Sequence, residues 1–125
     1  MLPRETITDE QLIELEALLN MKLGSQLIDY LKQYGKLPLE YERDVNGYRQ
    51  GDVKECSLVR ETMRERTFYP NVLDKYIVIE NDGFGNLYLI DSGDNMYFFN
   101  HETKLLEDLH KSFNAYLEEI IKGSN

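Results

Sequence analysis

The sequence predicts an α+β fold: a single domain over residues 1–125, with a central, mainly antiparallel sheet carrying two N-terminal helices, a middle helix and a long C-terminal helix. Three observations predict it. Residues 76–91, YIVIENDGFGNLYLID, hold two apolar strands around a turn whose glycines reach positive φ and whose Asn and Asp side chains bond turn backbone. An aromatic run of strand length follows closely at residues 96–100. Apolar residues at helical spacing occupy both ends of the chain and part of its middle.

Thr8-Asp9-Glu10-Gln11 is a capping box, and Ile7 and Leu12 stand at the two positions of a hydrophobic staple, so a helix starts here. Leu12, Leu15, Leu18 and Leu19 share one face to about residue 20, and Asp9, Glu10 and Glu14 complement the helix dipole. After Ser25, the residues Leu27, Ile28, Leu31 and Tyr34 recur at helical spacing until Gly35. Pro38 ends helical options. Leu39, Tyr41, Arg43 and Val45 then alternate with Glu40, Glu42 and Asp44 at the period of a strand, which predicts a strand with a wholly acidic outward face. Asn46-Gly47 is a two-residue turn signal, and residues 48–52 read as loop or a short edge.

Residues 57–66 predict the middle helix, with Leu58, Val59, Thr62 and Met63 inward and Arg60, Glu61, Arg64, Glu65 and Arg66 on a solvated charged face. Pro70 breaks it, and the hairpin follows as residues 76–80 and 87–91. Ser92-Gly93-Asp94-Asn95 is a second turn, so residues 96–100 complete a three-stranded antiparallel meander. From about residue 102 to 122, Leu105, Leu106, Leu109, Phe113, Tyr116, Leu117, Ile120 and Ile121 form one stripe, predicting the longest helix, packed across the sheet.

A 125-residue chain with 42% hydrophobic content buries a core without staples. Twenty-three acidic against fourteen basic residues give a net charge of −9, which repels phosphate backbones and anionic membranes, so neither nucleic acid nor membrane is an expected partner. Such an excess either keeps the surface solvated or faces a basic partner. One cysteine, Cys56, excludes an internal disulfide and fits a reducing compartment. No run approaches the roughly 20 apolar residues of a membrane span, and the N-terminus lacks a signal-peptide core, so the expected location is cytoplasmic.

No catalytic, cofactor or metal site is expected. His101-Glu102 invites an acid/base reading, but adjacent residues rarely serve one site together, and a polar side chain capping the first turn at a strand-to-helix junction accounts for the pair. His110 stands at no metal-ligand spacing from it. Asp82, Asn86, Asp91, Asp94 and Asn95 are calcium-type ligands, yet they fall in two turns separated by a strand of roughly 17 Å, and turn chemistry accounts for them. Gly83-Phe84-Gly85 lacks the third glycine and following helix of a dinucleotide fingerprint.

Four segments, taken in order, resemble the SUKH superfamily and more narrowly its Smi/Knr-type branch. They are Tyr34-Gly35, Tyr76-Ile77-Val78-Ile79 with Asp82-Gly83-Phe84-Gly85-Asn86, Tyr97-Phe98-Phe99-Asn100-His101-Glu102, and Ser112-Phe113 with Tyr116-Leu117. The resemblance covers about residues 12–121, and residues 39–66 match only loosely. It implies helices packed on a central sheet and a non-enzymatic role. Many bacterial members of that superfamily are immunity proteins that neutralise a cognate toxin domain, often a nuclease, while others are regulatory scaffolds. The implied partner is a protein with a basic surface, met by a monomer or weak homodimer. The candidate contact residues are the carboxylates of predicted strands and turns: Glu40, Glu42, Asp44, Asp82, Asp91 and Asp94.

Overall fold

A computed structural model describes residues 6–123. Helix α1 (Asp9–Leu19) begins at the expected capping box: the Thr8 side chain accepts from the Gln11 N–H, and the Gln11 side chain accepts from the Thr8 N–H. Ile7 and Leu12, the staple pair, are both buried. Helix α2 (Ser25–Gln33) has Gly24 at its N-cap and so no local side-chain cap. Asp94 supplies one from far along the chain, accepting from the N–H groups of Gln26 and Leu27 at 3.0 and 3.1 Å.

The strand expected over residues 39–45 is absent. A single 3-10 turn, Leu39–Tyr41, stands there, and Glu42 at φ +58° breaks the run. Beyond it the chain bonds to separate elements: the Asn46 N–H donates to the Ile79 carbonyl and the Tyr48 N–H to the Gly35 carbonyl, both at 2.8 Å. Asn46-Gly47 is not a hairpin turn either. Gly47 lies against the Gly35 backbone, where a Cβ would overlap the Gly35 carbonyl oxygen, so this glycine serves a backbone crossing.

Helix α3 (Ser57–Phe68) buries Leu58, Val59, Thr62 and Glu65, while Met63 is exposed. Leu58, Val59 and Thr62 thus face inward as expected, and Glu65 takes the place expected for Met63. Arg66 belongs to the inward face too, donating to the carbonyls of Leu19, Leu73 and Tyr76.

Four antiparallel strands in the order β1-β2-β3-β4 form the sheet: β1 (Ile77–Asn81), β2 (Leu87–Ile90), β3 (Asn95–Asn100) and β4 (Leu105–Ser112). The meander is as expected, but β4 replaces the first half of the expected last helix, and α4 is confined to Phe113–Gly123. The Asn100 side chain accepts from the Glu102 and Thr103 N–H groups, and the Lys104 N–H donates to the Asn100 carbonyl, so the chain turns back at once. Leu105 is 68% exposed, so its fit to a helical stripe reflects spacing without burial.

One sheet face, with Ile77, Ile79, Ile90 and Met96, shares a core with α1, α2, α3 and α4. The other, with Val78, Leu87, Leu89 and Phe99, is covered by Leu73 and the rings of Tyr69, Tyr76 and Tyr97. The outer edge of β1 is capped by side chains: the Val78 N–H donates to the Thr62 hydroxyl, and the Asn46 amide donates to the Val78 carbonyl. No helix of the described residues is long and apolar enough to cross a membrane.

Candidate partner-binding surface

The register of β1 against β2 shifts between Val78 and Glu80, pairing Val78 with Leu89 but Glu80 with Tyr88. This bulge inserts one residue and turns the Glu80 side chain onto the helix-bearing face, where plain alternation would have set it beside Val78. Glu80 is 4% exposed. Its carboxylate accepts both Nε and Nη2 of Arg43, a bidentate pair, and the hydroxyl of Tyr116 from α4. The Arg43 guanidinium lies 5.6 Å from the ring centre of Tyr88 and 5.9 Å from that of Tyr116. The hydrogen bond to Glu80 pushes the Arg43 guanidinium above its ordinary range. Burial, and then Glu80, push the Tyr116 hydroxyl up as well, so it stays a donor.

Arg43 sits between two openings. One, of about 310 Å³, is lined by Glu42, Asp44, Asp82 and Tyr88. The other, of about 210 Å³, is lined by Tyr88, Leu109, Lys111, Tyr116 and Glu119. Sharing Arg43 and Tyr88, they make up a groove rimmed by carboxylates on the side of Glu42, Asp44 and Asp82 and by the Lys111–Glu119 ion pair on the other, with Arg43 neutralised by Glu80.

Of the six carboxylates singled out by sequence, the groove gathers Glu42, Asp44 and Asp82. Asp44 pairs with Lys36 at 2.5 Å. Asp82 organises the β1–β2 turn, accepting from the Phe84 and Asn86 N–H groups and the Asn86 amide. Burial raises its pKa, and these bonds outweigh burial and hold the carboxyl below its ordinary range. Glu40 is exposed on the 3-10 turn, outside the groove.

Asp91 lies at the opposite end of β2, accepting from Gly93, Asn95 and the Tyr97 hydroxyl. Burial pushes the Tyr97 hydroxyl up, and Asp91 adds to it, to about 12. Asp94 corrects the expectation of an exposed turn carboxylate: it is 5% exposed and spent on α2. Arg43, Glu80, Tyr88 and Tyr116 were not singled out by sequence; an isolated carboxylate after the apolar run 77–79 was the available signal.

The histidines stand apart from this groove. His101 is at the β3–β4 turn instead of a helix start; its N–H donates to the Asn86 side chain, and its ring packs on Gly85. A Cβ at Gly85 would lie 3.2 Å from that ring, and φ there is +95°. His110 is exposed, at φ +54° in the irregular part of β4. Cys56 is buried, which pushes its thiol pKa up. Among the described residues, no group of three or more His, Cys, Asp or Glu side chains is placed to hold a metal ion.

The SUKH_5 family model, described as SMI1-KNR4 cell-wall, matches residues 1–122. The chain belongs to the SUKH family. No curated protein matches it. Within this SUKH domain, the resembling motifs are accounted for by the fold: Asp82-Gly83-Phe84-Gly85-Asn86 forms the β1–β2 turn, and the His101 ring packs against that turn.

Proposed function

We propose that this SUKH domain is a non-enzymatic immunity protein of the cytoplasm that binds a cognate toxin domain in a one-to-one complex and covers its basic surface. The observation that carries the reading is the gathering of Glu42, Asp44 and Asp82 around a groove whose one central cation is already held by Glu80. A nucleic-acid-degrading toxin needs a basic groove for its substrate, and an acidic rim meets it both by complementary contact and by steering the encounter. The net charge of −9 acts in the same direction at long range.

The test is co-purification with the toxin domain encoded beside the gene, together with protection of cells expressing that domain. Reversing Glu42 and Asp44 together to lysine, which leaves the turn built by Asp82 intact, should slow association about tenfold at low ionic strength. No complex with any such domain, or an unchanged association rate, would sink the reading. A regulatory scaffold that binds an endogenous basic protein through the same groove is the second reading, favoured by the cell-wall wording of the family description. Protection of cells separates the two.

A further inference from the structure

The pairing of the strands sets four side chains in one row across the helix-bearing face: Glu80 opposite Tyr88, Tyr88 opposite Phe98, and Phe98 opposite Glu107. The row reads carboxylate, aromatic, aromatic, carboxylate. The Tyr88 and Phe98 rings meet edge-on with centroids 5.2 Å apart. One half of the row is filled from within the chain, since Arg43 lies over Tyr88 and is clamped by Glu80. The other half repeats the pairing of one ring with one carboxylate, more open to solvent: Phe98 is half-buried, Glu107 is exposed, and among the described residues Glu107 has no ion-pair partner. Leu105, two residues before Glu107 and on the same face, supplies an exposed apolar flank.

We propose that Phe98 and Glu107 form a seat for one arginine side chain of the basic protein partner. This rests on reading the groove as the partner surface. The occupant follows from charge complementarity and from Arg43, which shows in this same row what a guanidinium does there. A planar cation stacks on an aromatic face while donating to the adjacent carboxylate, a combination that lysine reproduces only in part. The partner's arginine would thus lie alongside Arg43, with Glu80 and Glu107 each holding one cation.

The test titrates the full chain, followed residue by residue by amide NMR, with the peptide acetyl-Gly-Gly-Arg-Gly-Gly-amide and with its norleucine analogue. The expected result is a saturable shift confined to Phe98, Glu107 and their neighbours, produced by the arginine peptide alone and about fivefold weaker in Glu107→Gln. Glu107 is exposed, so that variant keeps its fold, and Phe98→Leu is the second arm. Equal affinity in Glu107→Gln, or shifts scattered over the surface, overturn the seat. The neighbouring toxin domain separates the two proposals. If the wild-type chain fails to bind it, the immunity reading falls. If it binds but Glu107→Gln and Phe98→Leu bind it equally well, only the seat falls.

Discussion

Asp94 offers the sharpest test of how this fold is held together, because one side chain performs two separable tasks. Its carboxylate caps α2 through two backbone N–H groups, and its own backbone sits at φ +64°. Asp94→Gly removes the cap but suits the left-handed backbone, so its cost is the lost cap with its buried N–H groups, about 2 kcal/mol. Asp94→Ala adds the left-handed penalty of about 1 kcal/mol, for a total of about 3 kcal/mol. At about 4 °C per kcal/mol for a chain of this size, Tm should fall by about 8 °C for glycine and about 12 °C for alanine. The converse perturbation is Gly24→Ala, whose Cβ would overlap the Asp94 carboxylate. In the Asp94→Gly background that overlap is gone, leaving only the ordinary N-cap preference of about 1 kcal/mol. A double-mutant cycle should therefore show a coupling of about 2 kcal/mol. Urea unfolding followed by far-UV circular dichroism reads it, with tyrosine emission as a second probe in a chain of nine tyrosines and no tryptophan. Additivity within about 0.5 kcal/mol would refute the close approach, a glycine variant as stable as the wild type would refute the cap, and alanine no worse than glycine would refute the left-handed penalty.

Glu80→Gln should destabilise by about 2–3 kcal/mol in the same assay; the figure is set below that of a fully buried pair because the Arg43 side chain is 38% exposed. Gly47→Ala should cost more than about 2 kcal/mol, since the obstructing atom is backbone and cannot swing away, whereas Gly51→Ala meets no neighbour within 4 Å and bears only its φ of +84°. Asp82 and Asp91 both titrate below the ordinary carboxylate value of 3.8 in the folded chain, because hydrogen bonds outweigh their burial. The unfolded chain then takes up protons first on acidification, so their stabilisation is complete above that value and is lost as pH falls through the folded values. Asp91→Asn should flatten the acid limb of stability against pH, and an unchanged limb would count against the assignment.

The elements legible in the sequence are those fixed by neighbours in the chain. Thr8 and Gln11 form their capping box three residues apart, and the turn at residues 81–86 is built from its own Asn and Asp side chains. Strand β4 was hidden because Leu105, Leu106, Leu109 and Phe113 satisfy helical spacing; the Asn100 side chain and a positive φ at Lys104 decide for a hairpin. The same limit applies to the groove. Glu42, Asp44 and Asp82 were marked by charge, and Asp82 stands in its expected turn, but the strand reading of 39–45 gave Glu42 and Asp44 the wrong scaffold. Glu80 could not be placed, because its orientation depends on a bulge defined only by pairing with β2.

The two edges of the sheet differ in kind. Beside β1, hydrogen-bonding positions are taken up by Thr62 and Asn46, whereas β4 has no further strand beside it among the described residues. A sheet with one closed and one open edge has a single growth point. If two copies met strand to strand through β4, each would consume the other's open edge and the assembly would terminate at a symmetric pair. An endless cross-strand stack would first require α3 and the residue 46 segment to leave β1, which means dismantling part of the core. The Thr62 and Asn46 contacts that close β1 thus leave β4 as the edge through which two copies of this acidic protein would meet.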